Sequence, residues 1–402
     1  MTIGLIVNPV AGVGGPAGLA GSDGVAAQRE ALRRGGRPRA GERALEALRV
    51  LAAAHPGAEI LTAAGALGAD AVRAAGLIPR VAYTPHHPAK GTLLSLPGAK
   101  SDNDVPLGGT NGDDTARAAA ALRAAGASLI LFAGGDGTAR DVARGLPAGS
   151  PVLGIPAGVK MYSGCFAVSP AAAGALAADW LRSPLSTAEA EVLDLDEALL
   201  RAGRPDPRLF ALVPVPVAAG RTQARKAATP AGAREAVRRA AAGAAGLMRP
   251  GVRYLLGPGG TTAELGRVLG LDTSPLGVDL VQDGRLLARD ITEQQAYDAV
   301  AGRSAQAVVT VIGGHGFLLG RGNQQLSARV IAALGAAPLL VVATEQKLID
   351  LAGRPLLVDT GDPALDLRLA GHVRVTTGPA TASLYPVSAA SAAPIEGEPE
   401  CV

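Results

Sequence analysis

The chain has 402 residues, room for two or three domains with cores of their own. Hydrophobic residues make up 48% but aromatics only 2%, so the core must be built from Ala, Val, Leu and Ile. With 54 glycines and a net charge of +3 this is a compact globular composition, neither disordered nor fibrous, and its arginines are mixed with carboxylates without the aromatic interleaving of a nucleic-acid binder.

Met1 to Val7 carries no basic leader and stops at Asn8-Pro9, so it reads as a strand and not as a signal peptide. Ile3–Val7 is the first expected strand, ended by the glycine-rich loop Asn8-Pro-Val-Ala-Gly-Val-Gly-Gly15. A glycine-rich loop after an N-terminal strand is where an open α/β sheet forms its ligand crevice. The loop lacks the GxGxxG spacing of a dinucleotide fingerprint, and a plain flexible loop is the alternative. Glu42–Ala54 is an expected helix, Ala58–Thr62 a strand and Gly68–Ala75 a second helix. Tyr83 to Asp114 shows no period and reads as a long loop in which His86-His87 is solvated. Thr115–Ala125 restores a helix.

The apolar run Ser128-Leu-Ile-Leu-Phe132 predicts a buried strand. It empties into Gly134-Gly135-Asp136-Gly137-Thr138, with a helix expected from Ala139 to Arg144. Glycines let backbone N–H groups approach an anion, and a helix start adds partial positive charge. Asp136 departs from a passive phosphate turn, because a carboxylate among anions is costly unless it takes a proton or a metal ion. The competing reading is that Asp136 caps the helix. Pro151–Ile155 is another expected strand, running into a second glycine-bearing loop, Pro156 to Gly164. There Lys160, one of only five lysines, is placed to neutralise phosphate as a point charge or is a plain surface lysine. Ala171–Trp180 reads as a helix and 182–187 as a linker.

Beyond it, Glu191–Leu195 and Arg208–Val213 read as strands, Ala231–Met248 as a helix and Val252–Leu256 as a strand. A helix follows at Ala263–Leu269, then a hairpin across Leu276–Asp290 turning at Asp283-Gly284. Strands are expected at Val308–Ile312, Leu339–Val342 and Pro355–Val358, with a helix at Glu345–Leu351. Arg321, Asn323, Gln324 and Gln325 cluster after a glycine hairpin, suited either to reading a base or ribose or to a turn network between domains. Asp359 and Asp362 follow a strand, with helix capping favoured over Mg²⁺ support. The expected fold is α/β, an open parallel sheet over 1–187 and a second β-rich α+β domain over 188–387. Residues 388–402 are expected to be a disordered tail.

Taken together, Ile6-Val-Asn-Pro-Val-Ala-Gly12, Ala133 to Val142, Gly154 to Gly164, Gly320 to Ser327 and Val358 to Asp362 resemble the ATP-NAD kinase family. That family lies in the NAD kinase / diacylglycerol kinase superfamily, and the branch resembled includes the acetoin-catabolism protein X. Phosphofructokinases share the Gly-Gly-Asp-Gly-Thr turn. The resemblance runs from the first strand to about Val387 and implies a kinase-like two-domain fold with its site between the domains. It implies ATP or polyphosphate as donor, Mg²⁺, and NAD as acceptor to give NADP. Asp136 is then the catalytic carboxylate, as base or magnesium ligand. Gly134, Gly135, Gly137 and Thr138 cradle phosphate, Lys160 offsets charge and Asn8 orients the nucleotide. Two departures stand out: the family's Asn-Glu motif is nearest to Thr292-Glu293, and Ala20 occupies a position where a lysine is expected. A kinase for another metabolite or a lipid, and a nucleotide-binding accessory protein without turnover, remain the alternatives. With two cysteines, no apolar run of membrane length and no basic patch, the expected state is a cytoplasmic homo-oligomer binding small molecules, without nucleic acid or membrane.

Overall fold

The computed structural model describes residues 1–18, 25–85, 110–158, 161–183, 185–195, 207–217, 233–274, 276–312 and 316–391. The readings made for Ala20, His86-His87, Lys160 and residues 392–402 lie outside them.

The first domain is an open sheet of β1 (Ile3–Val7), β2 (Glu59–Ala63), β3 (Ile78–Tyr83), β4 (Leu129–Gly134) and β5 (Val152–Pro156). Their order is β3-β2-β1-β4-β5 and every pairing is parallel. β1, β4 and β5 are buried along their whole length, as strands covered by helices on both faces must be. On one face α2 (Ala40–Ala54) packs against α6 (Pro170–Arg182). On the other α4 (Gly112–Ala124) packs against α5 (Asp136–Gly145), as right-handed crossovers from an order that reverses at β1 and β4 require. α1 (Val25–Arg33) precedes α2, and α3 (Ala69–Ala74) joins β2 to β3.

Three local expectations change. β3 is an edge strand with Ile78, Arg80 and Val81 exposed, so it shows no apolar alternation and was hidden in the sequence. The stretch expected as a loop therefore gives Tyr83 to β3 at one end, and at the other Asn111 opens α4, its side chain accepting the Asp113 and Asp114 amides in a capping box. α5 begins at Asp136, so the glycine-rich motif forms the helix's first turn instead of preceding it.

Among the described residues, β6 (Thr187–Leu195) and β7 (Pro207–Pro216) pair only with each other, antiparallel. Val192, Val213 and Val215 belong to the core of the first domain, so this hairpin packs there although it follows the expected boundary at 187.

The second domain is a nine-stranded mixed sheet among the described residues. It comprises β8 (Arg253–Leu256), β9 (Asp279–Gln282), β10 (Arg285–Ala288), β11 (Ala305–Thr310), β12 (Phe317–Leu319), β13 (Leu339–Val342), β14 (Leu356–Val358), β15 (Gly371–Gly378) and β16 (Thr381–Ala389). The order is β10-β9-β8-β11-β13-β15-β16-β14-β12, with β8, β11, β13 and β15 parallel. Period-2 side-chain alternation sends Leu255, Val309 and Val341 to one core. The opposite face collects Tyr254, Leu256, Val308 and Val342. α7 (Ala233–Leu247) and α8 (Gly260–Val268) cover this second face. α9 (Glu293–Val300) and α10 (Ala328–Ala333) cover the first. α11 (Glu345–Ile349) and α12 (Pro363–Leu369) complete the domain. Asp283 and Gly284 turn the β9–β10 hairpin with φ of 50° and 69°, as the sequence predicts. β16 continues through Ala389, with Ala389 and Ala390 buried, so residues 388–390, expected in the tail, belong to the second domain.

Candidate active site between the domains

The order of the first sheet reverses between β1 and β4, and a ligand crevice opens at the carboxyl ends of such a pair. The Asn8 loop leaves β1 there, and the Gly-Gly-Asp-Gly-Thr turn leaves β4. They are tied directly: Asn8 Nδ2 donates to Thr138 Oγ1 at 2.9 Å, and the Asn8 amide donates to the Ala133 carbonyl at 3.0 Å. The Asn8 Oδ1 accepts the Val10 amide at 3.2 Å, which folds the loop back on its own first residue.

Glycine is required in this turn for close approach. A Cβ on Gly134 would lie 2.3 Å from Thr138 Oγ1, and one on Gly158 would lie 2.5 Å from the Gly135 Cα. The loops after β4 and β5 thus touch backbone to backbone. The Gly134 carbonyl accepts both the Ala157 and Gly158 amides, at 3.0 and 2.9 Å. Gly134 therefore sets the spacing of the loops, while Gly135, the N-cap of α5, has no side chain capping the helix. Gly137 stands in the first turn, and Thr138 is buried with its hydroxyl on Asn8.

Asp136 is not the cap. It is the first residue of α5, and its carboxylate accepts the Tyr162 amide at 2.7 Å and the Ser163 amide at 3.0 Å. Ser163 is fully buried, and its hydroxyl accepts the Leu193 amide at 2.9 Å, so the β6–β7 hairpin braces the loop that holds Asp136. Tyr162 and Ser163 act here through main-chain amides, which carry no side-chain signature in sequence. Burial, with the charge of Asp136 beside it, pushes the Tyr162 phenol up to about 12, so it stays neutral at any working pH. Burial first and Asp136 second push the Cys165 thiol well up, so it is a packed thiol and no nucleophile.

The second domain meets this floor through residues 320–325. Gln324 Nε2 donates to the Gly158 carbonyl at 3.2 Å, and its Cβ would be 3.0 Å from a Cβ on Gly15 of the Asn8 loop. Gln325 is buried with its amide nitrogen toward Gly18. Asn323 is buried and pins its own loop, accepting the Gly320 amide at 2.9 Å and donating to the Leu318 carbonyl at 2.8 Å. Arg321 is buried on Asp359 at 2.7 Å and on the Val168 carbonyl at 2.7 Å. Of the four second-domain candidates, Gln324 is hydrogen-bonded to the Gly135–Gly158 floor among the described residues. Asp362 caps α12, accepting the Ala364 and Leu365 amides. Thr292 caps α9, and Glu293 accepts from Ser327 and pairs with Arg329, so this pair serves the packing of α9 on α10.

Arg43 was missed in the sequence. It lies on the apolar stripe of α2 with Ala40, Ala44 and Ala47, and a cation on such a stripe was the available signal. It donates to Asp359 Oδ1 at 3.0 Å, makes a second bond to Asp359 Oδ2, and reaches the Pro156 carbonyl at 3.2 Å. Burial would raise the Asp359 pKa, but the charges of Arg43 and Arg321 and their hydrogen bonds overturn that and hold it well below the carboxylate range.

A switch-point sheet with an uncapped helix start, a carboxylate fixed beside it and a second domain in contact with it is an arrangement suited to a two-domain α/β phosphotransferase. Residues 3–183 match the model of the ATP-NAD kinase N-terminal domain and residues 249–387 that of the ATP-NAD kinase C-terminal domain. The chain belongs to the ATP-NAD kinase family. No curated protein and no solved structure matches it. No helix among the described residues is long and apolar enough to cross a membrane.

Proposed function

We propose that the protein transfers the terminal phosphoryl group of ATP, or of polyphosphate, to the 2′-hydroxyl of NAD, giving NADP. The observation that carries this reading is Asp136, whose carboxylate is fixed by two main-chain amides at the first residue of α5, where the helix start favours phosphate. Phosphoryl transfer asks mainly for positioning and charge neutralisation. Asp136 takes the proton of the acceptor hydroxyl, and help of this kind contributes about 10²–10⁴-fold. The first-turn amides of α5 at Gly137 and Thr138 face the phosphates, and Asn8 holds the turn in register through the Thr138 hydroxyl. Gln324 closes the cleft from the second domain.

Mg²⁺ fits this site as an ion carried mainly by phosphate oxygens. No cluster of three or more His, Cys, Asp or Glu able to cage a metal occurs among the described residues, and magnesium is commonly held by one or two carboxylates plus substrate phosphates. Asp136 is the carboxylate that would hold it, as the alternative to its role as base, and the ion would neutralise the charge developing on the transferred group. Lys160 is proposed as a further neutralising charge on the loop after β5.

The test is NADP formation from NAD with ATP or polyphosphate and Mg²⁺. NADP with either donor supports the proposal. Absence of NADP alongside phosphorylation of a different metabolite or a lipid moves the acceptor, and nucleotide binding without any transfer moves the protein to an accessory role.

A further inference from the structure

Apart from Gln324, two motifs take no part in the proposed chemistry: Gly320-Arg-Gly-Asn-Gln-Gln325 and Asp359-Thr-Gly-Asp362. The fold brings them together, because β12 and β14 are parallel neighbours and each motif leaves the carboxyl end of its strand. Asp359 is buried there between two guanidinium groups. Arg43 comes from the first domain and makes two bonds to it. Arg321 comes from the second domain, bonds Asp359 Oδ2 at 2.7 Å and stacks 4.2 Å from the Phe317 ring centroid.

Both arginines are also tied to main chain of the first domain. Arg43 donates to Pro156 at the end of β5, and Arg321 donates to Val168 just before α6. Pro156 is two residues from Gly158, which carries the Gln324 contact and touches Gly135. One carboxylate therefore joins a helix of the first domain, the end of β5, and the second-domain loop lying over the phosphate turn. Among the described residues, Arg39, Glu46 and Asp366 also face it.

We infer that Asp359 is a positioning residue: by holding Arg43 and Arg321 together it fixes Gln324 on the Gly158 carbonyl and sets the second domain's loop over the catalytic floor. Remove its charge and two buried cations face each other. Arg43 is held in a long helix, whereas Arg321 sits in a loop three residues before Gln324. Arg321 is the one that moves, and Gln324 moves with it.

A buried ion pair can also serve stability alone, so the test separates the two roles with Asp359→Asn and the double variant Asp359→Asn/Arg321→Met. The double variant leaves one buried cation, Arg43, in place of two, and its thermal midpoint is expected to recover part of what the single variant loses. Its loop is expected to stay loose: amide hydrogen exchange in a peptide spanning 318–326 remains roughly tenfold or more faster than in the wild type. NADP formation, which rests on the proposed function, is expected to show the KM for NAD raised roughly tenfold or more and kcat changed less. Wild-type exchange and wild-type KM in the double variant overturn the inference, as does unchanged exchange in the single variant. If the wild type forms no NADP, the kinase reading fails on its own and the exchange measurement alone decides this one.

Discussion

Asp136 and Asp359 look alike in the sequence. Each follows a buried parallel strand, and each is followed within two residues by a glycine and a threonine. Their surroundings have little in common. Asp136 is partly exposed and accepts two main-chain amides at a helix start. Asp359 is buried and accepts three hydrogen bonds from two arginines. Main-chain amides orient the first carboxylate, while two guanidinium groups from different domains hold the second. The same residue type at the same kind of strand end is therefore held by main chain in one domain and by arginines of both domains in the other, which is why chemistry is proposed for the first and cohesion for the second. What separates them is the partner, and neither Arg43 nor Arg321 is near Asp359 in the chain.

The largest effect on stability is expected from Asp359→Asn, which strands two buried cations. Breaking a buried pair from one side costs about 3–5 kcal/mol, to be read from denaturant unfolding. A loss below about 1 kcal/mol, the scale of an exposed pair, would break the contrast.

The same carboxylate sets an acid limb. Its folded pKa is held below the ordinary 3.8, so its contribution is complete above that value and is lost as pH falls through it. Glu46 and Asp366 act in the opposite sense. Burial pushes both up, so their protonated forms suit the fold and stability is withdrawn as pH rises through the raised values. Wild-type unfolding free energy is expected to fall below about pH 4 by up to about 1.4 kcal/mol per pH unit from this group, and Asp359→Asn to fall less steeply. Equal slopes for the two proteins would contradict the assignment.

Gly158→Ala sharpens the comparison from the other side. Its Cβ would meet the Gly135 Cα at 2.5 Å, so the loops after β4 and β5 must part. Overpacking of this kind costs about 1–3 kcal/mol, and turnover is expected to drop with it. Smaller still is Thr138→Val, which leaves the Asn8 amide without its acceptor at a buried site. About 1 kcal/mol is expected, and Thr138→Ser is expected to restore it.

The first sheet was largely legible, since its central strands are unbroken apolar runs and the helices between them keep an apolar stripe. β3 was not, because an edge strand with exposed Ile78, Arg80 and Val81 carries no burial pattern. The close-packed turn at Gly134 to Thr138 was legible through its glycines. The grip on Asp136 was not, because Tyr162 and Ser163 contribute only main-chain N–H groups to it. Arg321 and Asn323 were recognised as a polar cluster, but only the fold shows that their hydrogen bonds are made within the loop and across to the first domain. Sequence marks where polar groups gather, and the third dimension decides whether they face a ligand or each other.

The most direct test of the central claim compares Asp136→Asn with the wild type in NADP formation and in thermal unfolding, side by side. Loss of turnover by about 10²–10⁴-fold with a nearly unchanged unfolding midpoint is the predicted result. Undiminished turnover, or an unfolding loss as large as that of Asp359→Asn, would contradict it.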